Sequence, residues 1–269
     1  MKKWICQLLL VFYCLAIAFP ALVLAEEAEN EDNPNKIPES ALEISKENTY
    51  PNSAVDLPNL QPSTLAKNLL ESSEVDIDNP ELIKMMNEST VKGSKLAIGM
   101  NVSIYLGHWP LSYKSEETNL NWNYEKINTN MVDNRGGEQQ KNIQYSQEQQ
   151  KRITGGLTSE VPDIDMVKNM LLIKAAENTK LPLSYSTTIG FGTQADRQFQ
   201  VSAKTLGYLS AYASAVNEKG VVTYGEVYLR LKGDDSWLEV KNVTRQRIGA
   251  TIPVQDYVNF KMETTKEPR

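Results

Sequence analysis

Apolar and polar positions alternate with a period of two over much of the second half of the chain, which is the pattern of half-buried strands. The densest block runs from Gln198 to Lys261. Four strand-like stretches stand out in it: Gln198–Ala215, Val221–Lys232, Trp237–Arg247 and Thr251–Met262. Turn-forming residues separate them at Asn217-Glu218-Lys219-Gly220, at Gly233-Asp234-Asp235-Ser236 and at Gly249. The block is therefore expected to be an antiparallel meander. Within it Tyr224, Tyr228 and Arg230 fall on one face, the place to look for a partner if it is open to solvent, and Val221, Thr223, Val227, Leu229 and Leu231 on the other, expected to be core.

Further strands are expected upstream. Leu96, Ile98, Met100, Val102, Ile104 and Leu106 alternate through Lys95–Tyr113. Ser115–Arg152 is rich in Asn and Gln, yet Leu120, Trp122 and Tyr124 alternate in it, as do Ile143 and Tyr145, around the turn residues Asp133-Asn134-Arg135-Gly136-Gly137. That spacing predicts a long hairpin with one wet face. Its amides and aromatics would also suit a sugar or peptide ligand, although solvated strands share the composition. Leu183–Thr193 is another strand candidate.

Helical spacing appears in three places. One short helix should open at Gln61-Pro62-Ser63, and a second at Asn79-Pro80-Glu81, with Pro80 at the first helical position. The third, Pro162–Glu177, carries Ile164, Val167, Met170 and Leu171 on one stripe, with Asp163 and Asp165 at the positive end of the helix dipole. The acidic string Asp76-Ile77-Asp78-Asn79 lacks the glycine and glutamate of a calcium loop, so helix capping is the simpler role. The fold class is α+β: a mainly antiparallel sheet with a few short helices packed on one face.

Met1-Lys2-Lys3 precedes an apolar run from Trp4 to Ala25 that ends in Val23-Leu24-Ala25. This is the layout of a secretory signal peptide over 1–25; an uncleaved anchor is the alternative. An acidic tail is expected over 26–36, one α+β domain over 37–262 and a flexible C-terminal tail over 263–269. Both cysteines, Cys6 and Cys14, lie in the signal, so the exported domain would contain neither thiol nor disulfide. The formal net charge of −6 gives no general attraction for nucleic acid, anionic membranes or wall polymers; a local basic patch stays open, but no run is dense enough in cations to propose one. Contact with a membrane is expected only if the signal segment is retained.

Little chemistry is legible. His108 is the single histidine, so a histidine metal cluster is impossible, and no Gly-x-Ser-x-Gly elbow is present to make it part of a triad. No dinucleotide, phosphate-loop or zinc signature occurs. No catalytic residue, metal ligand or cofactor is assigned. Binding candidates are His108, Trp109, Tyr224, Tyr228 and Arg230, with a loop histidine beside a packed Trp109 as the bland reading of the first pair. The balance leans away from an enzyme and toward an exported protein that binds an envelope protein or glycan. Two readings stand beside it: a wall-directed hydrolase with paired carboxylates, and a module that self-assembles by its edge strands.

Three stretches carry a resemblance: Ile104-Tyr105-Leu106-Gly107-His108-Trp109-Pro110-Leu111, the Asp133–Gly137 turn with the Gln-rich stretch through Arg152, and Gly207-Tyr208-Leu209-Ser210-Ala211-Tyr212-Ala213 onward to Glu239-Val240-Lys241-Asn242-Val243-Thr244. Together with the secretory start, the chain resembles the YfkD-like family of exported proteins of spore-forming Gram-positive bacteria. The resemblance covers roughly 37–262 and implies export and a single fold. It brings no activity and no site residues.

Overall fold

Three antiparallel strands of 33, 27 and 31 residues dominate the computed structural model, which describes residues 37–45, 49–50, 60–89 and 101–268. They are β3 (Asn101–Asp133), β9 (Leu206–Lys232) and β10 (Asp235–Thr265). The shorter strands are β1 (Ala41–Glu43), β2 (Thr49–Tyr50), β4 (Lys141–Ser146), β5 (Lys151–Thr154), β6 (Gly156–Leu157), β7 (Ser186–Ile189) and β8 (Gln194–Val201). The helices are α1 (Thr64–Glu71), α2 (Pro80–Glu88) and α3 (Ile164–Thr179). The main sheet runs β1-β10-β9-β3, with β6 on the far edge of β10; β2-β7-β5 and β4-β8 form two small sheets. The expected signal (1–25), the acidic tail (26–36) and the start of the Lys95–Tyr113 strand lie outside the described residues. Among the described residues no helix is long and apolar enough to cross a membrane.

The sheet-dominated, antiparallel character matches the sequence pattern, but its segmentation differs. β9 and β10 run straight through the expected breaks at Asn217–Gly220 and Gly249: Gly220 pairs with Ser115 on one side and Ile248 on the other, and Gly249 pairs with Lys219. Glycine is needed at 220 for close packing, because a Cβ there would run into the Tyr113 ring and the Lys114 carbonyl. The real turn of this block is the two-residue hairpin between Lys232 and Asp235, with Gly233 at φ 62°. Gln198–Ala215, expected as one strand, breaks at Ser202–Thr205, where Lys204 has φ 64°. The Asp133–Gly137 turn is present, but it does not close a hairpin on itself. β3 pairs with β9, and β4 pairs with β8. Asn134 directs this divergence: it is fully buried and its amide donates to the carbonyls of Gln139, Val201 and Ser202 at 2.9, 3.2 and 3.0 Å. At the other end, β10 continues to Thr265, into the segment expected as a tail.

β9 alternates without a bulge of its own, so its even and odd residues mark the two faces of the ribbon. Odd residues Leu209, Ala211 and Ala213 are buried beneath Ile143 and Tyr145 of β4, Ile153 of β5 and Ala195 of β8. Even residues Val216, Val222 and Tyr224 are buried beneath Val167, Met170, Leu171 and Ala175 of α3. Odd residues Val227 and Leu229 are buried beneath Ala66 and Leu69 of α1 and Leu82 and Met86 of α2. The helices therefore do not share one face: α3 covers the even face in mid-ribbon, and α1 with α2 covers the odd face toward the hairpin. This corrects the expected face assignment. Thr223, Val227 and Leu229 are buried as expected, Val221 and Leu231 are only half-buried, and Tyr224, on the face considered for a partner, is 3% exposed.

The helix starts follow local chemistry. Ser63 accepts from the Ala66 N–H at 3.2 Å, and buried Asn79 accepts from the Glu81 N–H at 2.9 Å while donating to the Pro110 carbonyl at 2.6 Å. The Asp76–Asn79 string thus ends in a helix cap that also ties α2 to β3. α3 begins at Ile164 rather than Pro162, and Asp163, at φ 52°, makes no side-chain cap.

Replacing Gly220 with Ala should destabilise the fold by ~2 kcal/mol or more, through overpacking against Tyr113. Gly136→Ala, where a Cβ meets nothing within 4 Å, should stay within about 0.5 kcal/mol of the parent in urea unfolding.

Candidate functional site

The ribbon end nearest the β9–β10 hairpin has one face covered by α1 and α2 and the other open. Cross-strand pairing writes the open face out in rows. Ser103, Arg230 and Trp237 form one; Tyr105, Tyr228 and Glu239 the next; His108, Glu226 and Lys241 the third. Tyr105 is 55% exposed, and its ring lies 5.1 Å from that of Tyr228 with 44° between the planes. Lys241 Nζ sits 5.1 Å from the Tyr228 ring centre. Tyr228 donates its hydroxyl proton to Glu226 at 2.9 Å. That bond, with a second from Asn242, holds the Glu226 carboxyl below its usual range, and the same carboxylate raises the Tyr228 phenol. Arg230 and Lys241 pair with Glu239 at 3.4 and 3.5 Å.

Three of the five sequence candidates, His108, Tyr228 and Arg230, meet on this face. Tyr224 lies at its border: the exposed His108 stacks on it at 5.8 Å and 7°, but the tyrosine is buried and donates to the Pro162 carbonyl at 3.3 Å. Trp109 is on the opposite side, packed against the α1–α2 core, with its indole N–H donated to the Leu106 carbonyl at 2.9 Å. Adjacent residues of an extended strand point to opposite faces, which is why the His108-Trp109 pair divides. Sequence reading missed Tyr105, Trp237, Glu239, Lys241 and Glu226. Their only signal is the register that sets them beside Tyr228, and bulges between Tyr105 and Gly107 and between Lys241 and Thr244 shift that register.

The amides of the Asn/Gln-rich segment are largely committed to the protein itself. Asn128 and Asn130 both donate to the Ser146 carbonyl, at 2.7 and 2.9 Å. Buried Gln147 accepts from Tyr145 at 2.6 Å and donates to the Gln149 carbonyl at 2.7 Å. This segment serves chain geometry rather than an open ligand face.

The acids fall into three separate settings. Glu218 is fully buried beneath α3, where it accepts from the Tyr113 hydroxyl at 2.9 Å and the Thr118 hydroxyl at 2.6 Å. Burial, reinforced by this carboxylate, raises the Tyr113 phenol. Asp78, at the edge of β3, accepts from the Tyr113 N–H at 3.2 Å, and loss of hydration around its carboxyl pushes it up to about 6. Glu116 and Glu117 line a shallow depression of about 400 Å³ with Thr158, Lys219 and Arg247. Hydrogen bonds from Lys219 and Asn119 hold Glu117 below its usual range, the opposite of what a general acid needs. Asp78 does not line that depression. Among the described residues no three His, Cys, Asp or Glu side chains converge as a metal site.

Fold and surface together define a long antiparallel ribbon, covered by turns on its two faces, with an aromatic and charged face left open at its hairpin end. The chain belongs to the YfkD-like protein family, whose model matches residues 38–269. It is similar to the uncharacterized protein YfkD of Bacillus subtilis (strain 168), with 57% identity over 234 residues, covering 87% of this chain and 89% of that protein. No solved structure matches it.

Glu218→Ala should lower stability by ~2–4 kcal/mol, because it leaves the Tyr113 hydroxyl buried without its acceptor and opens a void. Glu218→Gln, which keeps one acceptor, should cost less in the same urea unfolding experiment. Asp78 gives a pH signature. Its folded value of about 6 lies above its ordinary 3.8, so the folded chain holds this proton more tightly. Its contribution is then fully present at low pH and lost as pH rises from about 4 to 6. Asp78→Asn should lack that downward slope, so its unfolding midpoint relative to the parent should rise as pH goes from about 4 to 6.

Proposed function

We propose that this chain is an exported, non-catalytic binding protein of the cell envelope or extracellular space, and that it binds a glycan on the open face of the ribbon end. The observation that carries the reading is exposed Tyr105 beside half-buried Tyr228, framed by Arg230, Glu226, Glu239, Lys241 and His108. Two tilted rings supply large apolar area that loses little side-chain entropy on binding, and the surrounding carboxylates and cations can exchange their mutual contacts for ligand hydroxyls. Export is supported by Met1-Lys2-Lys3 and the apolar run to Ala25. An envelope protein is the other class of partner this face would suit. The carboxylate hydrolase reading needs a raised acid beside a second carboxylate in a cleft. Glu117 has the wrong direction of shift, and Asp78 lies away from the depression.

Soluble glycan strands released from cell walls, titrated calorimetrically, should bind the chain. Tyr228→Ala and Tyr105→Ala should each weaken binding by about tenfold, or ~1.4 kcal/mol, with an unchanged melting temperature. Binding unaffected by either substitution would refute the assignment of this face. New reducing ends during the titration would refute the non-catalytic reading.

A further inference from the structure

The middle of the ribbon has a second open face, opposite α3. There the odd-numbered residues of β9 run from exposed Lys219 through half-buried Val221 to buried Thr223, and the long cationic side chains of the neighbouring strands stand out around them. The rows read Ser112-Thr223-Arg245, then Lys114-Val221-Arg247, then Glu117-Lys219-Gly249. Lys114, Lys219, Arg245 and Arg247 all project from this face and are exposed. Two of them have counterions: Lys219 pairs with Glu117 at 2.9 Å, and Arg247 approaches Glu116 at 3.8 Å. Lys114 and Arg245 form no ion pair among the described residues. The result is a local cation excess on a chain whose formal net charge is −6. The four cations come from three strands far apart in sequence, so no basic run announces them.

The shape of the face selects its ligand. On this same side the ribbon is covered at one end by α1 and α2 over Val227 and Leu229, and at the other by β4, β5 and β8 over Leu209, Ala211 and Ala213. The cations therefore lie on the floor of a valley between two raised layers, and the depression of about 400 Å³ lined by Glu116, Glu117, Thr158, Lys219 and Arg247 is part of that floor. A flat bilayer cannot reach a valley floor, whereas a thin chain can. The rows contain no aromatic side chain on which a base would stack, and stacking is the usual anchor of single-stranded nucleic acid. Strand spacing sets the cations on β3 and β10 about 10 Å apart across β9, and Arg245 and Arg247 about 7 Å apart along β10. We propose that this valley binds a linear, base-free phosphate polymer. Lys114 and Arg245 supply the free charges, and ligand phosphates displace Glu117 and Glu116 from Lys219 and Arg247. This surface is separate from the ribbon-end face and does not depend on its assignment.

Inorganic polyphosphate is the probe, its binding to the purified chain followed by calorimetry between about 50 and 200 mM salt, where such contacts weaken steeply. The double substitution Lys114→Glu with Arg245→Glu should lower affinity by at least ~10-fold. It should also reduce the slope of log affinity against log salt by roughly one per cation removed. Because neither residue makes an ion pair among the described residues, the melting temperature should stay the same. Lys204→Glu, an exposed cation elsewhere, should change neither quantity. The proposal is overturned by absence of binding at the lowest salt or by equal loss in Lys204→Glu. Tighter binding to a single-stranded oligonucleotide of matched charge would also overturn it. So would sedimentation with anionic vesicles that depends on Lys114 and Arg245, which would make the ligand a lipid surface instead.

Discussion

β9 is hydrogen-bonded on both edges from Leu206 to Lys232, with breaks at Ser214, where both neighbours bulge, and at Gly225 on the β10 side, and the other parts of the fold depend on that pairing. A strand paired on both sides cannot bend at a turn without losing ladder bonds to both neighbours, each expensive to leave unmade. Local preferences for turns at Asn217–Gly220 therefore yield to the sheet. The bulges the ribbon needs for twist are placed in its neighbours instead, in β3 near Gly107, Pro110 and Glu117 and in β10 at Lys241–Thr244 and Pro253–Val258.

A ribbon this long cannot be covered on one side by three short helices and a few short strands. The covering layers switch sides instead: small sheets on the odd face at one end, α3 on the even face in the middle, α1 and α2 on the odd face at the other end. Each crossing leaves an uncovered face directly behind a covered one. The aromatic ribbon-end face lies behind α1 and α2, and the cation valley lies behind α3. Rigidity comes from the core on the covered side, which is what a preorganised binding surface requires. Glu218 and Gly220 sit where β3 and β9 meet beneath α3, so the most sensitive core chemistry lies directly behind the valley.

Elements whose identity rests on local chemistry were legible in the sequence. Ser63 and Asn79 mark their helix starts, the 3.6-residue stripe marks α3, Gly233 marks the tight hairpin, and period-two alternation marks the antiparallel sheet. What was illegible depends on register. The glycines at 220 and 249 look like turns, and only the neighbouring Tyr113 ring and Thr158 hydroxyl reveal them as points of close approach. Tyr224 and Tyr228 have the same parity on the same strand, yet one lies under α3 and the other is on the open tip; no pattern within β9 encodes where a helix will end. Tyr105 acquires meaning only opposite Tyr228, and Lys114 only opposite Val221 and Arg247. The same limit applies to charge: a count along the chain detects runs, and the valley is assembled from single residues on three strands.

Residue-resolved amide hydrogen exchange along β9 tests the continuous ribbon most directly, since exchange reports the opening free energy of each hydrogen bond. Lys219 and Gly220 should be protected to the same order as Ala213 and Val227, with no break at Asn217–Gly220. Fast exchange confined to Asn217–Gly220, between protected neighbours, would mean two shorter hairpins joined by a turn. The opposed covers and the open faces behind them would then lose their common frame.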